Sequence, residues 1–304
     1  MRTQDSGASW APITAPRAVV ANGDGMIDCL NAPACINNLR FGSAQAGYAY
    51  SPSLFHTLDG GRSWQQEGGA VPILGLEYAG QSAFRVAGYG ATYGCTGGCH
   101  IQRAAVTGAP WRETGIVVAR QGAWIVPEGS QRVYVFGLAN PAGGAQGKKA
   151  DMYYTRNAGA SWQSRVDPCP GASYTVGVAT APTWHITMLC RTDGGAPTVL
   201  IRSDDGGITF HAPIPVPFEF GLTAGSATTL SGLASGSGGQ QVETTFDGGA
   251  HWRLTLTCPL GLYPFNEVLA LGYQDWHTAH VICPESTVWR SGDGGATWAK
   301  SSFG

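Results

Sequence analysis

Five side chains in this sequence have the chemistry of a ligand site: Arg40, Glu77, Trp124, Tyr174 and Glu267. Each falls on a stretch that reads as a strand and not as a turn. Two carboxyl groups facing each other across ~5 to ~9.5 Å would serve glycoside hydrolysis, and Glu77 and Glu267 are the pair available for that role. Arg40, Trp124 and Tyr174, on equivalent strands, would add a cation and aromatic faces suited to a sugar or a peptide. The plainer reading makes all five ordinary strand residues, solvated or paired with one another. No catalytic residue is assigned on either ground.

Other constellations fail on spacing. Asn22-Gly23-Asp24-Gly25 with Asp28 looks like a calcium loop. Its sixth position is Ile27, where Gly is needed, and its twelfth is Pro33, where a bidentate Glu belongs, so a Gly/Asn turn is expected. In Asp275-Trp276-His277-Thr278-Ala279-His280 a strand would point the two histidines to opposite faces. Gly147-Lys148 lacks the phosphate-loop partners, since Ala142 and Lys149 stand where Gly and Ser or Thr are required. No Gly-x-Ser-x-Gly nucleophile turn occurs. Neither a metal nor a cofactor is expected.

The eight cysteines form four sequential couples: Cys29 and Cys35, Cys95 and Cys99, Cys169 and Cys190, Cys258 and Cys283. Zinc is the competing reading for Cys95 to His100, but no second thiolate or His pair follows at finger spacing. Disulfides within each couple imply an oxidising compartment. The expected location is therefore extracellular or at the cell surface, with the export signal not present in this chain.

Composition narrows the class. Hydrophobic residues are 43% and charged residues 12%, so the chain can bury a core against little repulsion. Net charge is −2 and only Lys148, Lys149 and Lys300 are lysines, which argues against a phosphate-backbone binder. No apolar stretch reaches the ~18 residues of a membrane-spanning helix. Gly is abundant, at 45 residues.

The glycines belong to a repeat, Ser/Thr-x-Asp-x-Gly-x-x-Trp/Phe, here called the box. Copies carry Asp5, Asp59, Asp205, Asp247 and Asp293, and a worn copy has Asn157 in the Asp place. A decayed copy, Ala104 to Trp111, keeps Gly and Trp. The closing aromatics stand at 10, 64, 111, 162, 210, 252 and 298, in steps of 54, 47, 51, 48, 42 and 46 residues. That period fits four short strands with turns, one propeller blade. The Asp or Asn should accept backbone N–H bonds about two residues on, Gly permits positive φ, and the aromatic should open the fourth strand. Each cysteine couple falls inside one repeat. Cys169 with Cys190, and Cys258 with Cys283, should staple neighbouring antiparallel strands.

These boxes resemble Asp-boxes, or BNR repeats, and the chain resembles the Asp-box β-propellers, a group with sialidase-like, sortilin-like and photosystem II assembly factor-like members. The resemblance spans the whole chain and implies one all-β domain, residues 1–304, of about seven four-stranded antiparallel blades with the first incomplete. It makes the box residues structural. Six full blades and an N-terminal hairpin are expected, because the first box begins at Thr3. A sialidase would carry an Arg-Ile-Pro motif; Phe84-Arg85-Val86-Ala87 is the nearest approach and lacks Pro. Arg62, Arg156, Arg202, Arg253 and Arg290 fall in turns or beside boxes, away from an arginine triad. The expected function is an exported, non-catalytic propeller binding a protein or glycan partner, with no nucleic acid and no membrane span. The alternatives are a glycoside hydrolase acting at the central channel, and a structural subunit that assembles through its incomplete first blade.

Overall fold

The computed structural model describes residues 11–20, 34–68, 71–88, 95, 97–118, 122–137, 151–169, 174–191, 197–258, 270–283 and 287–301. It divides into two compact units, Pro12–Asp167 and Pro168–Gly304 with Met1–Ala11. All regular elements described are strands, and among the described residues no helix is long and apolar enough to cross a membrane.

The first unit opens with β1 (Val19–Val20), paired in parallel with β2 (Cys35–Ile36). Three antiparallel meanders follow. The first sheet is β3 (Asn38–Phe41), β4 (Gly47–Tyr50), β5 (Leu54–Thr57) and β6 (Gln65–Gln66). The second is β7 (Ile73–Ala79), β8 (Ser82–Gly88), β9 (Cys99–Ala105) and β10 (Gly108–Val118). The third is β11 (Ala123–Glu128), β12 (Arg132–Gly137), β13 (Asp151–Thr155) and β14 (Gln163–Val166).

The second unit holds three more. The fourth sheet is β15 (Tyr174–Ala181), β16 (His185–Arg191), β17 (Val199–Ser203) and β18 (Ile214–Pro215). The fifth is β19 (Phe220–Ala224), β20 (Leu230–Gly236), β21 (Gly239–Thr245) and β22 (Arg253–Thr257). The sixth is β23 (Ala270–Tyr273), β24 (Ala279–Cys283), β25 (Thr287–Ser291) and β26 (Ala299–Ser301).

Polarity grades across each sheet. Second strands such as Ser82–Gly88 and Arg132–Gly137 are nearly all buried, which explains their small and apolar composition. Fourth strands such as Gln65–Gln66 and Arg253–Thr257 are largely exposed and polar. Within each unit apolar layers fill the space between successive sheets. Phe84, Val86, Ile101, Val133 and Val135 form one such layer, with Trp162 packed against it. Trp111, Trp252 and Trp298 take the same place in three other layers. The closing aromatic of a box therefore packs on the preceding sheet as well as under its own turn.

The boxes form one recurring turn. Thr57 Oγ1 donates to Asp59 Oδ1 at 2.8 Å, and the N–H groups of Arg62 and Ser63 donate to the same oxygen. Asp205, Asp247 and Asp293 repeat this with Ser203, Thr245 and Ser291. The bonded N–H groups lie three and four residues on, not two as expected. The two residues between are occupied otherwise: Gly61 N–H donates to Thr57 Oγ1, and Gly60 N–H to the carbonyl of Gln45. Gly60 and Gly61 have φ of 75° and 87°, a region that penalises a Cβ.

That last bond recurs in all six sheets. The loop between third and fourth strands donates one N–H to a carbonyl in the loop between first and second strands. The pairs are Gly60 to Gln45, Val106 to Gln81, Ala158 to Gln131, Gly206 to Trp184, Gly248 to Thr228 and Gly294 to His277. Each box thus braces the neighbouring turn.

Several expectations are corrected. The described residues hold six four-stranded sheets, as many as the full blades expected but not about seven. The face of the first sheet that carries Trp64 is covered instead by the segment before it: Trp64 Nε1 donates to the Thr14 carbonyl, and Ala18 packs beside it. The first box with Asp5 lies outside the described residues, as do residues 22–25 and 141–149. Fourth strands start after the aromatic. In the fourth sheet the start slips to Ile214, because Pro213 offers no N–H to the ladder.

Three disulfides join the expected couples: Cys95 with Cys99, Cys169 with Cys190, and Cys258 with Cys283. Cys35 is disulfide-bonded too, and Cys29 lies outside the described residues. The Cys95–Cys99 bridge consumes both thiols of the zinc reading, and no group of metal ligands occurs among the described residues. Cys258 directly follows β22, so its bridge to Cys283 ties the strand leaving the fifth sheet to β24 of the sixth. It fastens sheet to sheet, where a staple between paired strands was expected. These bridges fit an oxidising compartment.

Candidate functional site

In the first unit β7 lies beside β3 and β11. Three of the five expected site residues, Arg40, Glu77 and Trp124, therefore share a row of first strands. Arg40 Nε donates to Glu77 Oε1 at 2.8 Å. Burial pushes the Glu77 carboxyl above its ordinary range, even though Arg40 pulls it down. A guanidinium, not a second carboxyl group, answers this acid. Trp124 is half-buried on β11. Tyr174 begins β15, its side chain lying outside what is described, and Glu267 is also outside the described residues. The Glu77 and Glu267 pair is thus not among the described groups.

A polar cluster missed in the sequence sits between the first and second sheets. Glu67, just past β6, accepts a hydrogen bond from Trp111 Nε1 at 2.7 Å. Arg85 approaches the same carboxylate at 3.7 Å and lies over the Trp111 ring at 4.3 Å. His56 Nδ1 stands 3.4 Å from the other oxygen. Burial, and then the nearby Glu67 charge, push the Tyr48 hydroxyl well above its ordinary value. Trp111 is the aromatic of the decayed box, so its loss of Asp coincides with a buried acid from the preceding sheet. No spacing rule connects residues 67 and 111.

The second unit presents the more open site. A cleft of about 540 Å³ lies against the loops joining first and second strands in the fourth, fifth and sixth sheets. Its walls include Thr183, Gly225, Ser226, Tyr273, Asp275 and Trp276. Ligand pockets commonly span ~300 to ~1,000 Å³. Trp276 is 60% exposed, and Trp184, beside Thr183, is 38% exposed. Thr183 and Trp184 hold φ of 69° and 76°, costly for residues with a Cβ. The Gly206 N–H bond to Trp184 O holds that turn.

Asp275 shapes the opposite wall. Its Oδ1 accepts the N–H groups of His277 and Thr278 at 2.8 and 2.7 Å, which hold the carboxyl below its ordinary range. Gly294 N–H donates to His277 O, so the box of the sixth sheet fixes this turn. The Tyr273 ring lies so close to Gly225 that a Cβ there would meet it at 2.6 Å. The Tyr273 hydroxyl donates to Gly294 O at 3.0 Å and lies 2.8 Å from Ser231 Oγ. His277 stands in this turn and His280 on β24, so the two do not share a strand as expected. The sequence signal for the site was the Asp275-Trp276 turn, read there only for metal binding.

No family profile matches the chain, and no curated protein matches it in sequence. Solved structures do match in fold. YCF48 from Cyanidioschyzon merolae is 14% identical, with 88% of this chain and 87% of that chain covered and a TM-score of 0.59. A YCF48 structure bound to D1 peptide is 14% identical, covering 88% and 80%, with a TM-score of 0.58. The GH74 xyloglucanase from Xanthomonas campestris is 15% identical, at 0.57, with 88% of this chain but 47% of the enzyme covered. The chain thus spans about half of that enzyme. At this identity the likeness is one of fold: the protein is an all-β propeller with four-stranded antiparallel blades, similar to YCF48-like and GH74-like propellers.

Proposed function

We propose that this protein is a non-catalytic propeller that binds a protein partner. In this reading residues 1–304 are one domain of Asp-box repeats, exported to an extracellular or cell-surface compartment. The observation that carries the reading is the cleft lined by Tyr273 and the exposed Trp276, on loops braced by the boxes. Rigid, exposed aromatic groups bind partners at low entropic cost. The similar YCF48 structure is bound to a peptide, which supports a peptide ligand here. The Arg40–Glu77 ion pair gives the first unit a polar contact surface instead of an acid with a carboxyl partner.

The second reading, a glycoside hydrolase, draws on the raised Glu77 carboxyl and the likeness to a xyloglucanase. A panel of glycosides and peptides, offered to the oxidised protein and to Glu77→Gln, separates the two. Peptide binding without turnover is expected. Turnover that disappears in Glu77→Gln would replace the binding reading with the enzyme.

A further inference from the structure

The cleft of the second unit has a charge signature that selects its occupant. Among the described residues lining it, Asp275 is the one charged side chain, and no Lys or Arg is present. The carboxyl stays ionised because two backbone N–H groups hold it. Both bonds fall on Oδ1. The other faces are aromatic: the Tyr273 ring against Gly225, and the exposed Trp276 indole, one side of which meets the His277 ring. Ser226 is engaged with its own turn, accepting the N–H groups of Thr228 and Thr229. The Tyr273 hydroxyl is committed to Gly294 and Ser231. Thr183 Oγ1 donates to the Pro182 carbonyl, which leaves Gln274 and Asp275 as the polar side chains offered to a ligand. An anionic carboxylate beside an electron-rich indole face suits a cation.

We propose that this cleft receives a cationic side chain, lysine or arginine, presented by a partner peptide. The charged head lies between Asp275 and the Trp276 face, and the aliphatic stem covers Tyr273 and Ala224. This deepens the protein-binding reading and rests on it. The geometry is prepared in advance. Trp184, Thr228 and His277, one from each of the three loops, accept an N–H from the box of their own sheet. The site then needs little ordering when the ligand arrives.

The test uses the full oxidised chain and a blocked Gly-Gly-Lys-Gly-Gly peptide, with the acetyl-lysine version and a neutral trisaccharide as comparators. Indole N–H resonances report binding, the Trp276 signal being assigned by its loss in Trp276→Ala. The lysine peptide is expected to shift that signal, and acetylation should abolish the effect. Asp275→Asn keeps an oxygen to accept both turn bonds, so the fold survives, and it should weaken binding about fivefold. Trp276→Ala should do the same, read on the peptide's own resonances. Equal binding of the acetylated peptide, preference for the trisaccharide, or no shift of the Trp276 signal at millimolar peptide would overturn the assignment. Retention of other peptides on an array, unaffected by Asp275→Asn and Trp276→Ala, would overturn this inference alone. An array that retains no peptide would remove the protein-binding reading itself.

Discussion

Removing the Glu67 carboxylate should be among the most damaging single changes in the first unit. The side chain is about nine-tenths buried and joins residues from two sheets. Glu67→Ala deletes the Trp111 hydrogen bond, of the charge-assisted kind worth about 1.5–3 kcal/mol. It also removes the Glu67 charge from beside the Arg85 guanidinium, which is only 15% exposed. Breaking a buried pair costs about 3–5 kcal/mol, but Arg85 keeps a 2.7 Å bond to Gln102 and sits 3.7 Å from Glu67. The lower end applies, and the two effects overlap, so the expected loss is about 3 kcal/mol. Glu67→Gln retains an acceptor for Trp111 and loses only the charge, which should cost about 1 kcal/mol. Urea unfolding of the oxidised protein, followed by tryptophan fluorescence, measures both. An alanine variant within about 1 kcal/mol of wild type, or a glutamine variant as damaging as alanine, would refute the cluster as the tie between these sheets.

Three further outcomes are expected. Ala158 holds φ of 52° where the described boxes that keep Asp have Gly; Ala158→Gly should stabilise the protein by about 0.5–1 kcal/mol in the same urea assay. Hydrogen bonds to the box carboxylates of Asp59, Asp205 and Asp247 pull them well below the usual range, and Asp293 is lowered to about 2. Their native pKa lies below the unfolded one, so their contribution is full above the unfolded carboxylate range and declines below it, that of Asp293 being lost near pH 2 and those of the other three lower still; acid titration of Asp293→Asn should show a smaller loss than wild type. Loop-closure entropy gives about 3.5 kcal/mol for the Cys258–Cys283 bridge, with a separation of 25, and about 2 kcal/mol for Cys95–Cys99, with a separation of 4; paired alanine variants should unfold in that order of severity.

The blade architecture was legible because the box is a local device. Its Asp, Gly and aromatic act within eight residues, so a spacing rule finds them, and the strands follow by counting. The hydrogen bonds three and four residues beyond the Asp were not legible, because they depend on where the two intervening N–H groups go. One of these reaches a distant loop, as from Gly206 to Trp184. The strand placement of Arg40 and Glu77 was legible, while their pairing with each other was one of several open readings. The Glu67 and Trp111 contact did not, since it crosses between sheets at unrelated positions. The cleft was hidden for a similar reason. Trp184 and Trp276 lie far apart in sequence and match no motif, and Thr183 and Trp184 adopt a backbone region that residue type alone argues against. Among the described residues each box copy has its own four-stranded sheet, and residues 13–18 cover Trp64 of the first.

The measurement closest to the central claim is equilibrium binding of the oxidised, folded protein to a peptide array at physiological salt, with a glycan array and glycoside turnover run on the same preparation. Saturable retention of a subset of peptides, enriched in lysine or arginine, is expected, with no turnover. Retention of glycans in place of peptides, or hydrolysis of a glycoside by the wild type and not by Glu77→Gln, would contradict it.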